Sequence, residues 1–335
     1  MFVLKKLLEK AAAPFVRWFW AMQIYILRAV PPFLGLISSI SMNANRSKKI
    51  WLATLFRAAL LIPRALIQHW SNKLKKRVVI ARMSVAVTSR CTLFCDKCVS
   101  HTPDYPCQKN VPREELLADM QFLLSSVDYI YDINLSGGEA FLHPNLDEVI
   151  RLFAESDKVG DVNITSNGTV IPSGKILAAL RDENITVKIS KYEPALQPNV
   201  EKLKAIFDEQ GIPYIHDIGT FWYDAGDLSK PLAGSAKRRF RLCTQQLCIP
   251  YWNGKLHLCA ESTYFQYLHP EKSVGDYIDL RTVSHEEFRK QFRALRKKRV
   301  ISACGYCAGF TCETPKIPLA EQRARTAKDE SNGGA

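Results

Sequence analysis

From Ile80 onward, short runs of β-type residues alternate with amphipathic helical stretches. Met83–Thr88 reads MSVAVT, a strand. Residues 112–126 then set Leu116, Leu117, Met120, Leu123 and Leu124 at helical spacing. Further strands are expected at 130–135, 162–165, Ile185–Ser190 and Tyr214–Ile218. Helices are expected between them at 145–154, 174–180 and Val200–Gln210, the last ended by Gly211. Strand–helix alternation at this rhythm implies parallel strands joined by right-handed crossovers. Eight such units would need about 250 residues. This stretch has room for five or six, so the fold expected of residues 77–240 is α/β, a partial (β/α)6 barrel with its site at the C-terminal strand ends.

Residues 1–76 follow another pattern, with apolar, aromatic and basic stretches over 1–13, 15–42 and 50–70. A spanning helix needs about 20 mainly apolar residues in a row. Here Arg17, Arg28 and Pro31–Pro32 cut the second stretch, and Arg57, Pro63 and Arg64 the third. No small-residue cleavage site follows a clean apolar core, against a signal peptide. Basic residues among Trp18, Trp20, Trp51, Phe56 and Trp70 suit helices lying in the plane of a membrane surface. The same stripes would also serve packing on the catalytic domain or a second subunit. A helical N-terminal extension is therefore expected, on a cytoplasmic protein held at the inner face of the membrane.

Charge follows the same division. The net charge is +13, yet residues 1–82 hold fifteen Lys and Arg against the single acid Glu9, which leaves the remainder near neutral. The basic balance thus describes the extension and gives the catalytic body no nucleic-acid character.

Ten cysteines fall into two groups: Cys91, Cys95, Cys98 and Cys107, then Cys243, Cys248, Cys259, Cys304, Cys307 and Cys312. Neighbours two or three residues apart rarely meet disulfide geometry. Clustered thiols in a large enzyme more often hold metal in a reducing compartment. Cys91-Thr-Leu-Phe-Cys95-Asp-Lys-Cys98 directly follows the first strand and sets three thiolates on one short loop. That is one short of the four that usually hold a [4Fe–4S] cluster, so one iron would stay open to another ligand. A zinc site would recruit His101 or Cys107 as its fourth ligand.

The C-x3-C-x2-C loop resembles that of the radical S-adenosylmethionine superfamily. Ser136-Gly137-Gly138-Glu139, after the second strand, resembles the same family's Gly-Gly-Glu segment. The resemblance implies that Gly137 and Gly138 let backbone approach the methionine amino group and that Glu139 receives it. Asn167, in Thr165-Ser166-Asn167-Gly168, and Ser190 stand where relatives contact the cofactor. Lys97 departs from the family, which usually has an aromatic or apolar residue before the third cysteine.

Beyond the barrel, residues 251–259 read as a hairpin about Asn253–Gly254, followed by Cys304-Gly-Tyr-Cys307. This resembles the twitch or SPASM extensions that hold auxiliary clusters. It implies a second [4Fe–4S] cluster on Cys243, Cys259, Cys304 and Cys307 within residues 241–315, with Cys248 and Cys312 as competitors and zinc as an alternative. Residues 316–335 are expected to form a disordered tail. The family implies reductive cleavage of S-adenosylmethionine and hydrogen abstraction from a substrate carbon, with electrons from a reduced flavodoxin- or ferredoxin-type donor. A substrate radical then oxidised would give a dehydrogenase. Quenched by a thiol, for which Cys107, Cys248 and Cys312 are candidates, it would give an epimerase. The loop style resembles enzymes acting on surface-polysaccharide sugars, which makes a sugar the expected substrate. Peptide modification is the enzymatic alternative, and a zinc-stabilised nucleic-acid-binding scaffold the non-enzymatic one.

Overall fold

A computed structural model of the protein describes residues 76–219 and 221–324. The membrane-surface reading of the extension lies outside the described residues, Lys76 apart. Among the described residues, no helix is long and apolar enough to cross a membrane.

The fold is mixed α/β around a mostly parallel sheet. A short β1 (Val79–Ile80) precedes β2 (Met83–Thr88), β3 (Tyr129–Gly137), β4 (Val159–Ser166), β5 (Ile185–Ser190) and β6 (Tyr214–Ile218). Strands β2 to β6 pair side by side and parallel, in sequence order. Between them run α1 (Arg113–Ser126), α2 (Leu146–Ala154), α3 (Gly174–Ala179) and α4 (Val200–Gln210). Several elements have the limits expected from the sequence, and the rest differ by a few residues at their ends, where hydrogen bonding outlasts the apolar pattern.

Strand alternation divides the two faces of the sheet. Met83, Val85 and Val87 of β2, Ile133 and Leu135 of β3, Val162 and Ile164 of β4, and Val187 and Ile189 of β5 are buried in the core beneath the helices. The opposite face presents Ser84, Asp132, Asn134, Ser136, Asp161, Asn163, Thr165, Lys188 and Ser190. A closed barrel fills its lumen with branched apolar side chains. Here the sheet stays open and its inner face is polar.

Past β6 come β7 (Trp222–Tyr223) and α5 (Ala236–Leu242), then β8 (Ile249–Trp252) and β9 (Lys255–His257), joined as a hairpin. Asn253 and Gly254 both have positive φ (44° and 83°), the turn expected of that pair. The sequence places this hairpin in a separate unit beginning at residue 241. In the structure β8 pairs parallel with β2, from Met83↔Ile249 to Ala86↔Trp252, and so becomes a sixth parallel strand on the open edge. Strand β9 and then β10 (Tyr277–Asp279) extend the sheet antiparallel, flanked by α6 (Ala260–Leu268) and α7 (His285–Lys297). Helix α7 is anchored on α1 by Phe122 against Phe288 and by the Ser126–His285 hydrogen bond of 2.7 Å. The boundary drawn at residue 241 thus falls between elements of one continuous sheet.

The expected tail also differs. Strand β11 (Lys316–Ile317) pairs with β7, and the chain continues back to the three-cysteine loop, where Cys95 and Gln322 form a β-bridge. Buried Ala320 packs there with Leu93 and Cys95. Apolar Ile317, Leu319 and Ala320 give the segment a face to bury. Residues 325–335 lie outside the described residues.

Candidate cluster and cofactor site

The three-cysteine loop leaves the C-terminal end of β2 and turns sharply at Lys97, whose φ of 51° is left-handed. That turn returns Cys98 toward Cys91 and Cys95, and all three thiols line a cleft of about 470 Å³ over the strand ends. Burial pushes the three thiols up, Cys95 to about 11, and each is raised further by its neighbours in the group or by a nearby carboxylate. Clustered, buried thiols are poor thiolates until a metal supplies positive charge. The donor set therefore fits an iron–sulfur group.

Gly137, Gly138, Asn167 and Ser190 line the same cleft. The glycines have a clear steric reason. A Cβ on Gly137 would stand 2.1 Å from the Thr88 carbonyl oxygen, and one on Gly138 2.2 Å from that of Arg90. The backbone N–H of Gly138 donates to Thr88 O (2.9 Å) and that of Glu139 to Arg90 O (2.8 Å). These bonds clamp the Gly-Gly turn onto the root of the cysteine loop, and side chains would force the two apart.

Glu139 directly follows the Gly-Gly turn. It is fully buried, and its carboxylate accepts from the backbone N–H of Asn167 (2.7 Å) and of Phe141 (3.1 Å). Burial raises it to about 7, while those two donors pull it down. In this position it braces the ends of β3 and β4 from behind the cleft. The Asn167 side chain turns to the cysteine loop, donating to Thr92 Oγ1 (3.1 Å) and Cys91 Sγ (3.5 Å). Gln197, which no motif indicated, donates to the carbonyls of Asn167 (2.6 Å) and Ser190 (2.7 Å) and so fixes two strand ends together.

Deeper in the cleft, Arg82 pairs with Asp132 (3.6 Å), Ser84 bonds Ser136 (2.9 Å) and Thr165 donates to Asn134 (2.8 Å). Lys188 lies among them, its pKa lowered by burial although Asp132 opposes this. Asn163 is fully buried on this face, and neither its amide nitrogen nor its oxygen has a partner.

The second thiol set is also brought together. Cys243, Cys259, Cys304 and Cys307 line one small cavity with Glu261 and Arg239. Burial raises all four thiols, Cys304 to about 11. Backbone N–H groups of Gly309 and Phe310 approach Cys307 Sγ (3.2 Å) and Cys243 Sγ (3.4 Å). The competitors lie elsewhere: Cys248 faces the barrel cleft, and Cys312 and Cys107 are exposed. Among the described residues, no three His, Cys, Asp or Glu converge as ligands of a single ion.

A polar relay that the sequence did not reveal joins the two sets. Arg323 donates to Asp104 (2.6 Å), Asp104 bonds His101 (2.9 Å), and His101 bonds Glu261 (2.7 Å) at the second cavity. Burial alone would lower the His101 pKa, but the two carboxylates raise it to about 9.

No family model matches the chain. It is 28% identical over 120 residues to the GTP 3',8-cyclase of Acidothermus cellulolyticus, covering 34% of this chain and 33% of that protein. It is 33% identical over 107 residues to that of Aliarcobacter butzleri, covering 31% of each. The chain thus spans about one third of the length of these curated relatives. Among solved structures it resembles BtrN in complex with AdoMet and 2-DOIA at 15% identity, over 73% of this chain and 97% of that one, with a TM-score of 0.46. It also resembles Streptococcus suis SuiB bound to S-adenosylmethionine at 17% identity, over 50% and 43%, with a TM-score of 0.36. Over that third, the chain is similar to enzymes of the radical S-adenosylmethionine superfamily.

Proposed function

We propose that the protein is an enzyme that cleaves S-adenosylmethionine reductively and abstracts hydrogen from a small polyhydroxylated substrate, a sugar of a surface-polysaccharide pathway, to oxidise or epimerise it. One observation carries this reading: the three thiols, the Gly137–Gly138 turn, Asn167 and Ser190 all open onto a cleft whose floor is the polar inner face of the sheet. When bound, the cluster and S-adenosylmethionine supply one-electron chemistry and a 5'-deoxyadenosyl radical able to take hydrogen from an unactivated carbon. Cys91, Cys95 and Cys98 would hold the cluster with one iron open, and the Gly137–Gly138 backbone that lines the cleft would meet the methionine end. Ser190 and Asn167 line the wall toward the ribose.

Below them, Ser84, Asn134, Ser136 and Thr165 offer donors and acceptors suited to hydroxyl groups. Lys188 adds a cation for a phosphate or carboxylate on the substrate. Cys243, Cys259, Cys304 and Cys307 would hold an auxiliary cluster, the natural electron acceptor if the substrate radical is oxidised. Cys248 is the spare thiol that faces the cleft, the position needed for hydrogen return in an epimerase. A low-potential flavodoxin- or ferredoxin-type protein would reduce the first site. The basic aromatic stripes of residues 1–76 support attachment to the membrane surface, where lipid-linked sugars are available.

The test is anaerobic reconstitution with iron and sulfide, then S-adenosylmethionine and dithionite. The wild type should release 5'-deoxyadenosine, and Cys95→Ala should not. Turnover retained by Cys95→Ala refutes the assignment. For the substrate, a sugar deuterated at the reacting carbon should pass its label to 5'-deoxyadenosine. A panel of nucleotide- and lipid-linked sugars that all leave the product unlabelled refutes the sugar reading.

A further inference from the structure

The segment after β11 returns to the first cysteine loop and is bonded to it along its length. The backbone N–H of Asp96 donates to Glu321 O (2.6 Å), and that of Arg323 to Phe94 O (2.8 Å). Arg323 also pairs with Asp96 (2.8 Å) and Asp104 (2.6 Å). Ala320 is buried against Leu93 and Cys95, with Trp222 and Tyr192 packed beside them. The segment reaches this place through a left-handed turn at Ala320, φ 52°.

Within this contact the Gln322 amide is held in one orientation. Its oxygen accepts the backbone N–H of Phe94 (2.9 Å), a role only the oxygen can fill. The nitrogen must then face the other way, where it donates to Cys95 Sγ (3.1 Å) and Ala320 O (2.7 Å).

We propose that residues 319–323 are a strap belonging to the first cluster site, and that the Gln322 amide is a positioning residue whose N–H···S bond to Cys95 raises the reduction potential of the cluster. The proposal rests on the cluster reading above. An N–H dipole aimed at a thiolate sulfur stabilises the more negative, reduced cluster over the oxidised one, and hydrogen bonds to sulfur are among the factors that set cluster potentials. The donor comes from more than two hundred residues beyond Cys95 in the chain. Reducibility of the first site then depends on a segment that follows the second thiol set in the chain, and the Arg323–Asp104–His101–Glu261 relay ties the two together.

The test uses the reconstituted full-length protein, with the first cluster identified as the one whose paramagnetic resonance signal changes on adding S-adenosylmethionine. Potentiometric titration should show Gln322→Ala and Gln322→Leu both shifted to lower potential. The expected shift is on the order of a ten-fold change in the one-electron reduction constant, about 59 mV. Deleting residues 319–335 should speed iron loss from that cluster to a chelator roughly ten-fold, the scale of one or two lost hydrogen bonds. Loss of the first cluster alone in a variant, with helix content and the auxiliary signal intact, also supports the strap. Midpoints that match the wild type in both Gln322 variants overturn the potential-setting role, and an unchanged rate of iron loss overturns the strap. A wild type with no S-adenosylmethionine-responsive signal overturns the cluster reading itself, which separates the two failures.

Discussion

Replacing Gly138 by Ala adds one carbon where the cysteine loop and the Gly-Gly turn touch through backbone alone. The new Cβ would stand 2.2 Å from the Arg90 carbonyl oxygen, 2.7 Å from its carbon and 2.9 Å from Cys91 Cβ. Contact at van der Waals distance needs roughly 1 Å more. Backbone must therefore move, since none of these atoms is the end of a flexible side chain. The nearest bonds to yield are those of Gly138 N to Thr88 O and Glu139 N to Arg90 O. Each is worth about 0.5–1.5 kcal/mol, so the expected loss is about 2 kcal/mol, before any cost of displacing Cys91. For a domain of this size that lowers Tm by roughly 4–8 °C. Calorimetry on the anaerobic protein, with iron and sulfide counted, reads both effects: a lower Tm and reduced iron at the first site. Gly174→Ala is the control, because a Cβ there meets nothing within 4 Å. A Gly138→Ala protein with wild-type Tm and full iron would refute the steric argument.

Other outcomes follow from the same geometry. His101 is raised from 6.5 to about 9 by Asp104 and Glu261, so its stabilisation is full below pH 6.5 and lost as pH rises toward 9. At about 1.4 kcal/mol per unit this amounts to roughly 3 kcal/mol. Urea unfolding at pH 6 and 9.5 should show that loss in the wild type and not in His101→Ala, and equal slopes in both would contradict it. For the second thiol set, Cys307→Ala should lower iron content by one cluster and Cys248→Ala should leave it unchanged. The reverse result would move Cys248 into the ligand set.

The two thiol groups and most barrel elements are legible in the sequence because their signals are local. Alternation in MSVAVT, helical spacing at Leu116–Met120–Leu123 and the Asn253–Gly254 turn each act over a few residues. Cysteines two to four residues apart must share a loop whatever the rest of the chain does. The hydrogen-bond partners of Glu139 were not legible, because they come from another strand end and from its own following turn. Its direction is set by the Asn167 and Phe141 backbone amides, against the cost of removing its side chain from water.

By itself, the amino-acid order determined which segments are strands and helices, where three thiols would cluster, and that the sheet would be parallel and open. Only the tertiary structure decided that β8 joins β2 rather than a separate unit, that Cys248 faces the cleft while Cys307 lines the other cavity, and that Gln322 returns to Cys95. Those outcomes are pairings across long sequence separations. They are chosen by which exposed sheet edge and apolar surface remain when the rest has packed, and no local periodicity encodes that choice.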